Sequence, residues 1–215
     1  MSRRLSIFTG STIRPGASDC LYIKCDYRFI LDNLLDLTHL TFVHPNTIGS
    51  MANVEQARVQ NDLAERSVTV SRWMIDIEPP PTYARAGFKG SVDRWQIMRF
   101  DPPVFVNLYA GAADTGTGAP EGNRHGGVGL HNLDAMTPET ETSTHYFWAI
   151  AQERAPQDEA ATEGIFKEIH RTFMEDVEVL ELQQQWNMIG LRMRRRLIYR
   201  ATPDQFTHDA LSISC

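Results

Sequence analysis

The spacing of apolar positions changes several times along the chain, and the changes mark its elements. From residue 26 to 44, Phe29, Ile30, Leu34, Leu37 and Leu40 recur three and four apart. That is the spacing of one helix face, and Pro45 marks its end. Residues 1–20 are polar and broken by Pro15 and Gly16, which predicts an extended or poorly ordered lead-in. A looser polar stretch runs from 46 to 66. SVTVSRWMIDIE (67–78) alternates β-branched and polar residues and reads as a strand. The prolines at 79–81 cannot join a central ladder and predict a short polyproline connection. Residues 95–100 and 104–110 read as strands around the turn Asp101-Pro102-Pro103, and 128–133 and 143–152 as two more. The glycine-rich stretch 114–129 reads as a loop with the makings of a lid. A long helix follows over 158–197, with an interruption near Gly190. A helix, several antiparallel strands and a long C-terminal helix, without internal repeat, predict one α+β domain with helices packed on a sheet.

Composition narrows the class. The 215 residues suit one domain, and 42% hydrophobic with 22% charged residues is ordinary for a globular chain. With 21 Lys+Arg against 27 Asp+Glu, the net charge of -6 works against binding a phosphate backbone. No apolar run approaches the roughly 18 residues that span a bilayer. The start, MSRRLSIFTGST, lacks the apolar run of a signal peptide. Cys20, Cys25 and Cys215 form neither a disulfide framework nor a zinc-finger pair. The expectation is a cytoplasmic protein that binds neither nucleic acid nor membrane.

The candidate chemistry sits in DNLLDLTHLTFVH. Asn33, Asp36 and His39 are each three apart and would share a helix face. His44, five beyond His39, would lie about 140° away on a regular helix, so both imidazoles can meet one ion only if the helix ends between them. Pro45 supplies a reason for it to do so. Two neutral imidazoles suit iron, zinc or copper, and a carboxylate completes a facial triad with positions open for oxygen. The plainer alternative is a pair of helix-end histidines satisfied by backbone. For the carboxylate, Ile165, Ile169, Phe173 and Leu180 fall within an arc of about 80° on the C-terminal helix, with Asp176 inside it at about 20°. Glu175, at about 280°, faces away. An acid in a core-facing stripe is costly to desolvate unless a partner or metal offsets it. That favours Asp176 as a ligand; the alternative is that it lies at the rim of the helix or pairs with Arg171 or Arg192.

DNLLDLTHLTFVH resembles the iron-binding helix of Rieske non-haem iron oxygenases, whose pattern is N-x2-D-x2-H-x4-H. RWMIDIEPPPTY, VDRWQIMRFDPPV, TPETETSTHYFWA and FMEDVEVLELQQQ resemble the vanillate O-demethylase-like branch of that family. The resemblance covers about 26 to 185. It implies a helix-grip fold (the START or SRPBCC shape), an antiparallel sheet wrapped around the C-terminal helix. It implies that His39, His44 and Asp176 are ligands of a mononuclear Fe(II). Asp36 would bridge toward the cluster of a neighbouring subunit in a trimer, and Asn33 would lie beside the iron. On this reading 26–197 is the iron catalytic domain, 1–25 its lead-in and 198–215 a tail.

Full-length members hold a [2Fe–2S] cluster through C-x-H and C-x2-H pairs, and this chain contains neither. The cluster would come from an electron-donating iron–sulfur protein with its reductase, or from another domain. The implied activity is oxygenation or O-demethylation of a small aromatic substrate with O2. Alternatives are a zinc hydrolase or lyase on the same site and a non-catalytic ligand-binding domain of the same shape. Asn107 and His131, polar residues on predicted strands, are candidate substrate contacts. Leu108, Tyr146 and Trp148 are expected to line the pocket with Phe105. Arg192–Arg196 is read as a solvated helix end that complements the dipole.

Overall fold

The computed structural model describes residues 14–52, 56–153 and 159–200. Seven antiparallel strands form one sheet: β1 Arg14–Ile23, β2 Arg58–Leu63, β3 Val68–Ile77, β4 Val92–Asp101, β5 Phe105–Asp114, β6 Val128–Thr140 and β7 Ser143–Gln152. Their order across the sheet is β1-β7-β6-β5-β4-β3-β2. Every step from β2 to β7 is therefore a neighbouring antiparallel pair, and only β1 enters from a distance in sequence. The helices are α1 Tyr27–Leu35, α2 Leu40–Val43, α3 Pro81–Arg85 and α4 Glu159–Arg200. The result is the α+β arrangement expected, an open antiparallel sheet with a long C-terminal helix.

One face of the sheet forms the core. Met98, Val106, Met136, Tyr146, Trp148 and Ile150 point to it from β4 to β7. They meet Ile30 and Leu34 of α1, Leu37 and Leu40, and the stripe Phe166, Ile169, Phe173, Val177 and Leu180 of α4. The Trp148 ring lies 5.1 Å from that of Phe166 and 5.0 Å from that of Phe173. Large aromatic area buried this way dominates such a core. Hydrogen bonds fix the middle of α4 to the β1–α1 junction. Gln184 Oε1 accepts from the Asp26 amide at 3.0 Å, and Glu181 Oε1 from the Lys24 amide at 3.0 Å.

Five local expectations differ from the structure. Residues 14–23, read within the lead-in, are strand β1 paired along β7. The polar stretch before residue 66 contains β2, a fully exposed edge strand that needs no apolar alternation. Pro81 opens α3, because proline at a helix's first position loses no hydrogen bond. The α4 backbone runs through Gly190 without a break. The helix expected over 26–44 is three pieces: α1, a 3₁₀ turn at Leu37–His39, and α2. The positions before residue 14, the tail from 201 and the side chains of Arg192–Arg196 lie outside the described residues.

Candidate metal centre

Asp36 divides the first helix. Its amide donates to the Asp32 carbonyl and closes α1, while its own φ of -111° and ψ of 97° leave the helical region. Its Oδ1 then accepts from the Thr38 amide at 3.0 Å and caps the 3₁₀ turn. Asn33, Asp36 and His39 therefore do not share the face of a regular helix. The break instead swings His39 round toward His44, which ends α2 just before Pro45. Helix termination does bring the imidazoles together, but it falls at Asp36 as well as at His44. Gly49 packs against this turn, its amide 2.9 Å from the His44 carbonyl oxygen.

His39, His44 and Asp176 each offer one ligating atom, and the three atoms lie within 4.8 Å of one another. His44 Nε2 is 3.0 Å and His39 Nε2 3.5 Å from Asp176 Oδ1. His44 is fully buried, with 0% exposure, and Asp176 is buried. The opposite ring nitrogens are committed elsewhere. His39 Nδ1 donates to the Asp36 carbonyl at 2.7 Å, and His44 Nδ1 to Glu175 Oε2 at 2.8 Å. With Nδ1 of each ring so committed, Nε2 is the atom each ring turns inward and could give to a metal, as metal-binding histidines require. Asn33 Nδ2 donates to Asp176 Oδ1 at 3.0 Å and lies 3.4 Å from His39 Nε2. A donor set of two imidazoles and one carboxylate suits ferrous iron with coordination positions left open. The residues present fit that ion.

Burial works to lower the affinity of His44 for a proton. The Asp176 and Glu175 carboxylates outweigh it and hold His44 above its ordinary value. At Asp36, burial works upward, but the Thr38 amide and the Arg72 guanidinium keep the carboxyl below its usual range. Arg72 Nη1 stands 3.6 Å from Asp36 Oδ1; the Arg72 side chain is buried, whereas that of Asp36 is 68% exposed. The Asp36 carbonyl thus orients His39 while its carboxylate faces outward.

Periodicity turned Glu175 away from the site, yet it reaches His44, with Arg171 Nε 3.4 Å from its other oxygen. A flexible three-carbon side chain is not bound by the radial direction of its Cα. Glu175→Gln is expected to weaken metal affinity by roughly 10–100-fold without abolishing it, because the ligands remain and only the brace on His44 changes. Metal titration of the purified variant reads this directly; an unchanged affinity would show that the Glu175 contact is incidental.

Asn107 and His131 are not brought to this site. Val106 and Leu108 face the core, so Asn107 between them points to the opposite face, where it reaches Asp101 Oδ2 at 3.4 Å. His131 lies on that outer face too, stacked on Tyr109 with centroids 4.4 Å apart and 3.2 Å from Glu153 Oε1. Phe105 is exposed, whereas Leu108, Tyr146 and Trp148 face the core as expected.

The inner face of β6 instead presents Asn132 and Asp134. Asp134 Oδ1 accepts from the Tyr146 hydroxyl at 2.5 Å and from Asn132 Nδ2 at 2.8 Å. Burial pushes the Asp134 carboxyl up to about 7, opposed by those two hydrogen bonds and assisted by the Asp176 charge. A carboxyl raised from about 3.9 in the unfolded chain contributes stability present at low pH and lost as pH rises toward 7. Asp134→Asn is therefore expected to raise the melting temperature more at pH 8 than at pH 4. Equal shifts at both values would contradict the buried-carboxyl assignment.

Residues 23–212 match the vanillate O-demethylase oxygenase C-terminal domain. The chain belongs to this family. It is 38% identical over 183 residues to the vanillate O-demethylase oxygenase subunit of a Pseudomonas species, covering 82% of this chain and 51% of that subunit. It is 37% identical over 171 residues to the putative toluene-4-sulfonate monooxygenase system iron-sulfur subunit of Comamonas testosteroni, covering 78% and 49%. The chain thus spans about half the length of these relatives. Among solved structures, dicamba monooxygenase bound to 3,6-dichlorosalicylic acid superposes with a TM-score of 0.76 at 20% identity, over 84% of this chain and 52% of that one. That likeness shows that the two chains share a fold over this region. No helix among the described residues is long and apolar enough to cross a membrane.

Proposed function

We propose that this domain is the mononuclear iron catalytic part of a Rieske-type aromatic monooxygenase or O-demethylase, with His39, His44 and Asp176 as the ligands. The observation that carries the reading is the convergence of three ligating atoms within 4.8 Å, with the second nitrogen of each imidazole already hydrogen-bonded away from them. Bound ferrous iron would supply oxygen activation beside a substrate that is held but not ligated. The chain's own residues do the rest. Glu175 and the Asp36 carbonyl fix the two rings, Asn33 steadies the Asp176 carboxylate, and the apolar inner face excludes water around a small aromatic substrate.

Two electrons are needed for each oxygen activated, and the sequence holds no cluster motif. We place the donor in a separate iron–sulfur protein with its reductase, or in a further domain, delivering through the exposed Asp36 carboxylate at a subunit interface. A homo- or hetero-trimer in the cytoplasm is the assembly this implies. The catalytic unit is taken as 26–197, extended by β1 at the sheet edge. Names of two relatives, an oxygenase subunit and an iron-sulfur subunit, support a multicomponent system.

The test is a panel of methoxy-aromatic compounds assayed for formaldehyde. Release is expected only when an iron–sulfur donor accompanies the iron-loaded chain. Turnover with NADH and a reductase alone, without any iron–sulfur protein, would contradict the scheme. Zinc-dependent hydrolysis or elimination would favour a hydrolase or lyase, and ligand binding without specific metal a non-catalytic domain.

A further inference from the structure

Outside the metal centre, the inner face of the sheet carries polar atoms that the core does not satisfy. Asn132 Nδ2 is fully used by Asp134, at 2.8 Å from Oδ1 and 3.0 Å from Oδ2, so the amide oxygen points elsewhere. Asn132 Oδ1 is buried and has no hydrogen-bond partner, and neither has Trp148 Nε1. Both residues are almost wholly buried, Asn132 with 4% exposure and Trp148 with 1%. They flank Asp134: Trp148 is its cross-strand partner on β7, and Asn132 lies two residues before it on β6. The patch adjoins the proposed iron ligands through Tyr146, whose ring meets Phe173 edge-on at 5.6 Å, three residues before Asp176. Unpaired buried polar atoms cost stability, so a pair of them on one patch points to a partner from outside the chain.

The chemistry of that partner follows from the two atoms. Asn132 Oδ1 can only accept and Trp148 Nε1–H can only donate. A hydroxyl group does both at one oxygen, whereas a carboxylate or an ether only accepts. The Asp134 carboxyl between them also disfavours an anionic group. We propose that Asn132 and Trp148, set on either side of Asp134, recognise a neutral hydroxyl on the aromatic ring of the substrate. The inference rests on the aromatic oxygenase reading above and adds a specificity to it. Trp148 and Asn132 act here in binding.

Isothermal titration calorimetry of the full chain with 2-methoxyphenol and 1,2-dimethoxybenzene tests it, since the two differ only in methylation of one hydroxyl. The chain is expected to bind 2-methoxyphenol at least about tenfold more tightly, because a site built for a hydroxyl rejects the analogue that lacks its proton. Trp148→Phe keeps the ring against Phe166 and Phe173 but loses the donor, and should reduce the preference to under about threefold. Asn132→Leu should do the same; if that variant fails to fold, Trp148→Phe decides alone. Equal affinities in the unaltered chain, or a full preference retained by Trp148→Phe, would overturn the inference and leave the oxygenase reading standing. Binding of neither compound would overturn this inference too, while the oxygenase reading is judged separately by the formaldehyde assay.

Discussion

Replacing His44 by alanine is expected to abolish stoichiometric iron binding, from about one ion per chain to under about a tenth, because a ligand and its orienting bonds vanish together. His44 is the best-enclosed member of the site, with no exposed surface and a carboxylate on each ring nitrogen. The substitution removes the imidazole that stands between Glu175 and Asp176, leaving Asp176 with Asn33 and His39. A lower melting temperature should therefore accompany the metal loss, by an amount worth about 1 kcal/mol for one hydrogen bond lost, since Asn33 still donates to the Asp176 carboxylate. Elemental analysis and thermal unfolding of the same sample check both. Full iron occupancy in His44→Ala would exclude it as a ligand.

Asp36→Asn is expected to have the opposite signature, unchanged iron with turnover lowered by roughly 10–100-fold. The division follows from which atoms do what. The Asp36 carbonyl holds His39, and asparagine keeps that carbonyl. Asparagine also caps the 3₁₀ turn as well as aspartate does, through the bond now made to the Thr38 amide. What disappears is the charge that faces outward beside Arg72. The comparison needs single-turnover measurements with the reduced iron–sulfur donor and iron analysis on the same preparation. Iron loss in Asp36→Asn would show that the carboxylate supports the metal site, and unaltered electron delivery would remove it from the transfer route.

The parts of the site legible in the sequence are those written locally or periodically. Asn33, His39 and His44 fall within twelve residues, and the apolar stripe of α4 carries Asp176 into the core beside them. The helix break was half legible: Pro45 signals one end, but Asp36 acts as a cap through side-chain geometry that a run of helix-spaced leucines conceals. Glu175 was misjudged because a helical wheel gives the direction of Cβ and not the reach of a long side chain. Strand phase was the other obstacle. In GLHNLDAM both alternate sets mix apolar and polar residues, so His131 and Asn132 compete for the inner face on equal terms. Only the register with Val106 and Leu108 on β5 and Trp148 on β7 decides for Asn132 and Asp134. Strand β1 was hidden for a similar reason, since it opens on Pro15-Gly16 and owes its place to β7, more than a hundred residues away.

Anaerobic loading with Fe(II), gel filtration and elemental analysis of the unaltered chain alongside His39→Ala and Asp176→Asn is the most direct test of the metal centre. The two-histidine, one-carboxylate assignment predicts about one iron per unaltered chain and a small residue in either variant. No iron retained by the unaltered chain, or full occupancy in both variants, would contradict it.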